Sequence, residues 1–263
     1  MLEKNTHDWF DASSLQCDTH EISRQVKDNG FYCLEGVVKA SFLQSLQENV
    51  QDLIKVYGKR YFSLIHPHEK LLNQDDLHIP YDHIINNTDF DNFLKELSGK
   101  LSNDNIVNSD RFNILRVVTG EKTDDQSLKF HYDSTLITAL IPIFIPEGKE
   151  SESGHLIAFP NSRKIRSSVI VNILEKMILQ NKIIQNLLPF FLLRSKKKQV
   201  LKLKPGNIYL FSGLQTFHSN YAVSKEFVRA TLLCFYGNPY PDSKTLKWIK
   251  NKRHSEEDKN IGL

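Results

Sequence analysis

The sequence predicts a mainly β protein with flanking α: a β-sandwich or barrel core, an α-rich N-terminal part and one helical insertion. Three observations carry that expectation. From residue 111 the chain runs in short β-branched and aromatic segments broken by Gly, Pro and Asn, the pattern of strands joined by turns. Before it, apolar residues recur at steps of three and four, the period of a helix face. Within the β region, IRSSVIVNILEKMILQNKIIQNLLPFFLLRS is helical in character and strongly apolar.

In chain order, residues 1–20 are polar and read as irregular. EISRQVKDN reads as a short helix stopped at Asn29-Gly30, and FYCLEGVV as the strand that follows. ASFLQSLQENVQDLIKVYGKR places Phe42, Leu43, Leu46, Val50, Leu53, Ile54 and Tyr57 on one helical face. Residues 61–88, rich in His, Asn, Asp and Pro, read as loop. DFDNFLKELSGKLS is a second amphipathic helix, with Asp89 or Asp91 as its cap. RFNILRVVTG, LKFHYDSTLITALIPIFIP, GHLIAFPNS, QVLKLKPGNIYLFSG and FVRATLLCFYGNP supply the strands. The whole, 1–263, is expected to form one domain: an α-rich part over 21–110, a β core over 111–240 with the insertion at 165–198, and a tail over 241–263. Pro189 is expected to break any long helix in the insertion.

Composition narrows the function classes. Lys and Arg number 34 against 31 Asp and Glu, a net charge of +3. That balance argues against nucleic acid or an anionic membrane surface as the main partner. Hydrophobic residues make up 40% and charged ones 25%, which suits a chain that folds around a core rather than a disordered one. Cys17, Cys33 and Cys234 are odd in number and far apart, so neither a zinc ribbon nor a disulfide framework is expected. No stretch approaches the ~18 apolar residues of a transmembrane helix, and the polar N-terminus lacks a signal-peptide core. A soluble, cytoplasmic protein is expected.

Chemistry gathers at FHYDS. On a strand, His131 and Asp133 point to the same face and reach one ion together; alone, the pair also reads as an ordinary surface His-x-Asp. Late in the chain, LKPGNIYLFSGLQTFHSN brings His218 after a turn and an apolar strand. Two histidines and one carboxylate leave open positions on an octahedral metal, the arrangement that suits non-haem Fe(II) and dioxygen. A structural zinc site wants four ligands, usually with cysteine. Eleven residues on, Arg229 stands among Val228, Ala230, Leu232 and Leu233. It is either an outward residue on an alternating strand or a carboxylate clamp, with Thr231 on the same face.

The set His131-x-Asp133, His218 and Arg229 resembles the Fe(II)/2-oxoglutarate-dependent dioxygenases, and most of all the phytanoyl-CoA dioxygenase family. NGFYCLEGVV is similar to that family's opening segment. SGHLIAFPNSRK is similar to its strand and turn before the distal histidine, and LKPGNIYLFSGLQTFHSNYAV with RATLLCFYGNP to its closing segment. The likeness spans about residues 25–60 and 110–240. It implies a double-stranded β-helix, the jelly-roll and cupin type, with His131, Asp133 and His218 on iron. It further implies 2-oxoglutarate chelating that iron and held by Arg229 and Thr231, dioxygen in the last position, and ascorbate as an added reductant. Asn113, on the strand before the metal strand, matches a cosubstrate-contacting position of the family. Arg116 faces the other side of a regular strand and reaches a substrate only through a bulge. Arg163 stands where the family places a histidine and joins Arg116 as a candidate substrate residue.

Related halogenases replace the carboxylate ligand with a small residue. With Asp133 present, hydroxylation, or desaturation by the same oxidant, is the expected outcome on a small organic substrate. A peptide hydroxylase on the same fold, a cupin-like binding module without turnover, and a metal-dependent hydrolase are the alternatives. His155 is expected to be a hydrogen-bonded strand histidine. His66, His68, His78 and His83 belong to the 61–88 loop. The insertion is expected to pack on the barrel, form a lid or support a homodimer, rather than to meet a membrane.

Overall fold

Two antiparallel sheets face each other in the computed structural model, which describes residues 9–10, 18–67, 80–102, 111–121, 127–165, 169–179 and 181–240. Cys17, His68, His78 and the 241–263 tail lie outside the described residues. In chain order the elements are α1 (Thr19–Asn29), β1 (Phe31–Leu34), α2 (Ala40–Tyr57), β2 (Phe62–Ile65), α3 (Asp82–Ile85), α4 (Thr88–Leu101), β3 (Phe112–Thr119) and β4 (Ile137–Phe144). There follow β5 (Leu156–Phe159), α5 (Val169–Leu179), α6 (Lys182–Leu192), β6 (Gln199–Leu201), β7 (Ile208–Phe211), β8 (Phe217–Asn220) and β9 (Val228–Tyr236). The major sheet runs β1-β7-β4-β9-β3-β2 and the minor sheet β6-β5-β8.

Alternation along the strands sorts side chains into layers. On β9, Ala230, Leu232 and Cys234 face the N-terminal helices, joining Leu46, Val50, Leu53, Phe90, Leu94 and Leu97. Leu233 and Phe235 point the other way, into a second core with Leu156, Ala158 and Phe211 between the sheets. The strand is therefore buried on both faces, which explains its unbroken apolar run. On the outside of the minor sheet, Ile157, Phe159 and Phe217 are covered by Leu179 and Leu188 of the α5–α6 hairpin. The layers are helices, major sheet, inner core, minor sheet and hairpin.

Several expectations needed correction. The first strand ends at Leu34, because Gly36 turns the chain at φ 64 and donates its N–H to Asn207 Oδ1 at 2.9 Å. The stretch read as loop contains β2, which pairs with β3, and the short α3. The cap of α4 is Asn87, whose side chain accepts from the Phe90 N–H, rather than Asp89 or Asp91. Asp91 instead pairs with Arg111 at 3.0 Å. Pro189 lies inside α6 without ending it; the break falls at Asn181, which caps α6 by accepting from Ile183 N–H. No described helix is long and apolar enough to cross a membrane.

Candidate metal centre

FHYDS is not a regular strand. His131 forms an isolated bridge with His218, each N–H donating to the other's carbonyl at 2.9 and 3.0 Å. Two residues on, the Asp133 N–H donates to Gly213 O at 3.0 Å. These backbone bonds bring together residues far apart in sequence, without the shared strand face that the i, i+2 spacing suggested. His218 itself comes from β8 of the minor sheet.

The three side chains converge, with one ligand atom from each lying within 4.8 Å of the others. The Nε2 atoms of His131 and His218 are each 3.7 Å from an Asp133 carboxylate oxygen, beyond hydrogen-bond range. Both Nδ1 atoms are bonded outward, His131 to Lys129 O at 2.8 Å and His218 to Thr216 O at 3.0 Å. A carbonyl only accepts, so Nδ1 carries the proton and the Nε2 lone pair faces inward. Two inward lone pairs and a carboxylate with no proton between them form a donor set for a cation. Burial, with His218 alongside, pulls His131 down to about 3, keeping it neutral. Burial alone would raise Asp133, but His218, His131, the Thr138 hydroxyl and Arg116 outweigh it and hold the carboxyl below its usual range. Thr138 Oγ1 donates to Asp133 Oδ2 at 2.7 Å, fixing the carboxylate's orientation. This set fits a divalent metal with open positions.

The triad opens into a cleft that also reaches Arg116, Arg229 and Thr231. Arg229 is 4% exposed and donates Nε–H to Gly154 O at 2.7 Å, with Thr231 Oγ1 3.4 Å from its Nη1. Burial, with Arg116 nearby, pulls Arg229 down to about 10. Arg116 pairs in register with Thr231, and Val118 with Arg229, so the two guanidinium groups are diagonal neighbours across β3 and β9. Among the described residues neither forms a salt bridge. A cleft with a metal-type donor set and two cations is shaped for an anion that also binds a metal.

The structure separates the remaining candidates. Arg116 faces the cleft without a bulge. Asn113 corrects the other way: it is buried opposite Cys234, and alternation puts it on the helix-facing side of β3, away from the cleft. The odd-even assignment of β3 was reversed. Arg163 sits at the mouth but is already engaged. It donates Nε–H to Leu214 O at 2.6 Å, pairs with Glu175, and lies 3.8 Å over the Tyr132 ring. With Asn172 and Leu179 of the hairpin it lines a second recess beside His131 and Asp133. His155 accepts from Leu203 N–H at 3.2 Å, and His66 packs edge-on to Phe112.

Three positions escaped the sequence reading. Thr138 orients Asp133. A Cβ on Gly213 would lie 2.6 Å from Asp133 Cβ, and one on Gly154 would lie 2.3 Å from Arg229 Cδ. Each glycine is the space its functional neighbour occupies. The only trace in sequence is a glycine directly after an apolar strand, in YLFSG, or before one, in SGHLI.

No family model matches the chain, and no curated protein matches it in sequence. Solved structures do resemble it. A prolyl 4-hydroxylase from Phytophthora capsici aligns with TM-score 0.57 at 14% identity, over 92% of this chain and 70% of that one. The epimerase SnoN in complex with Fe3+, alpha ketoglutarate and nogalamycin RO aligns with TM-score 0.53 at 13% identity, over 87% and 85%. AviO1 from Streptomyces viridochromogenes aligns with TM-score 0.52 at 12% identity, over 84% and 96%. At such identities the likeness is one of fold, and this chain shares its fold with them.

Proposed function

We propose that this chain is a non-haem Fe(II) oxygenase that couples oxidative decarboxylation of 2-oxoglutarate to hydroxylation of a small organic substrate, on a single jelly-roll domain. The observation that carries the reading is one cleft holding both His131, Asp133 and His218 and the buried Arg229 with Arg116 and Thr231. A fold shared with a protein solved with Fe3+ and alpha ketoglutarate adds support, as does the likeness of the SGHLIAFPNSRK and closing segments to the phytanoyl-CoA dioxygenase family.

Iron in this triad supplies dioxygen activation at the expense of a 2-oxo acid. The chain's own residues do the rest. Arg229 and Thr231 hold the far carboxylate, and Arg116 adds a second positive charge facing it. Leu140, Leu156, Phe211 and Leu233 exclude water from the cleft between them. Thr138 keeps the Asp133 carboxylate turned to the ion. The hairpin residues Asn172 and Leu179 cover the substrate side of the triad, which favours a small molecule. The likeness to prolyl 4-hydroxylases in fold carries the second reading, a peptide hydroxylase.

Anaerobic titration of Fe(II)-loaded protein with 2-oxoglutarate tests the proposal. A weak visible charge-transfer band is expected, and its loss in His218→Ala. Metal bound without that band would move the reading to a metal-binding module or a hydrolase.

A further inference from the structure

The α5–α6 hairpin carries apolar side chains on two sides. Its inner side packs on the minor sheet through Leu179, Leu188 and Leu192. On the outer side Ile170, Leu174 and Met177 of α5, and Ile183, Leu187 and Phe191 of α6, are 53% to 71% exposed. Their spacings of three and four make one continuous stripe on each helix. A helix apolar all round is suited to burial on both sides, and an apolar face of this kind with polar margins marks an interaction surface.

Charge identifies the partner. Residues 169–198 contain six cations, Lys176, Lys182, Arg194 and Lys196 to Lys198, against one acid, Glu175. That net +5 exceeds the +3 of the whole chain. Glu175 is turned to Arg163 on the barrel side and Lys198 to Tyr221, which leaves Lys182, Arg194, Lys196 and Lys197 as exposed cations of the hairpin. Lys182 stands at the start of α6 and Lys196 and Lys197 just past its end, all exposed, so cations bracket the apolar stripe at both ends.

We infer that the outer face of this hairpin seats on an anionic lipid surface. Apolar stripes bracketed by Lys and Arg are the build of a helix lying in the membrane interface. Each helix has 11 residues, about 16 Å, and neither spans a bilayer. A second copy is the weaker occupant, because a two-fold contact would press two basic rims together. Since Asn172 and Leu179 line the recess beside His131 and Asp133, a seated hairpin lies between the lipid surface and that recess. This seating is independent of the reaction carried out in the cleft, and it departs from the sequence expectation of no membrane contact.

Flotation of the full chain with vesicles of phosphatidylcholine, with and without phosphatidylserine, tests it. The chain is expected to float with the phosphatidylserine vesicles only. The pair Lys196→Gln and Lys197→Gln should weaken this by about 25-fold, and Ile183→Asp with Phe191→Asp should abolish it. All four side chains are exposed, and an unchanged melting temperature confirms the fold of each variant. Absence of flotation, or flotation untouched by both pairs of substitutions, overturns the inference. A dimer in sedimentation equilibrium that Phe191→Asp disperses, with no vesicle binding, overturns it in favour of a second copy.

Discussion

Gly213→Ala should unseat the metal site while leaving all three ligands in place. The new Cβ would lie 2.6 Å from Asp133 Cβ, 2.8 Å from Thr138 Oγ1 and 3.0 Å from Asp133 Oδ2, where ordinary contact begins at 3.4 Å. Asp133 must therefore recede by about 0.8 Å. It cannot do so freely, since its N–H is bonded to Gly213 O and its carboxylate to Thr138. Overpacking of this kind costs about 1–3 kcal/mol of stability. Displacing the group that orients a ligand typically weakens metal binding about 10–100-fold. Calorimetric titration with Co(II) under nitrogen reads that loss directly, and thermal unfolding reads the stability term. Gly99→Ala is the control: it meets no atom within 4 Å, lies in α4, and should stabilise by about 0.5–1 kcal/mol with metal binding unchanged. Wild-type Co(II) affinity in a folded Gly213→Ala protein would refute the placement of Asp133 on the ion.

Other expectations follow from the same geometry. Arg229→Met removes a buried cation that has no salt bridge among the described residues but also takes the donor from Gly154 O; the two effects oppose each other, so the melting temperature of the unliganded protein should change little. The 2-oxoglutarate concentration needed for the anaerobic band should meanwhile rise at least ~30-fold; an unchanged requirement would remove the clamp. Burial pushes the Cys234 thiol up to about 12. Between the unfolded value and 12 the folded state holds a proton that the unfolded state has lost, so stability must fall as pH rises through that window. By pH 10 the loss from this group is about 1–2 kcal/mol, measured as the difference in urea melts between the wild type and Cys234→Ala. Arg163→Met severs the link from Leu214 O and Tyr132 to Glu175. Amide exchange across 169–192 should quicken with little change in global melting, and unaltered exchange would show that the hairpin is held by its apolar inner face alone.

What could be read from the sequence was what periodicity and residue chemistry encode locally. The apolar face of α2, the stop at Gly30 and the strands β3 and β9 follow from spacing and from glycine's tolerance of positive φ. His131, Asp133, His218 and Arg229 were singled out only as a set, through the His-x-Asp spacing and the resemblance to a known family; taken alone, the pair also reads as an ordinary surface His-x-Asp. β2 was hidden inside a polar stretch, since four residues paired on one side give little alternation to detect. The Asn113 and Arg116 assignment reversed because the face of a strand depends on which sheet lies opposite, and that is set by the register Arg116 to Thr231 rather than by β3 alone. Gly154 and Gly213 were invisible for another reason: their contribution is an absent side chain, meaningful only once Arg229 and Asp133 are placed beside them.

The hairpin leaves the minor sheet at β5 and returns at β6, and those two strands are partners: Ala158 lies opposite Gln199 and Leu156 opposite Leu201. The excursion between them therefore begins and ends at neighbouring points of an intact ladder. Lengthening such a connection from a tight turn to about 40 residues costs only about 2 kcal/mol in closure entropy. The segment that covers the cleft is thus close to a detachable module. Its helices can vary in length and sequence without breaking the ladder, provided that the apolar cover over Ile157, Phe159 and Phe217 is kept. Variation in the cover of the cleft is thereby confined to one short stretch of chain.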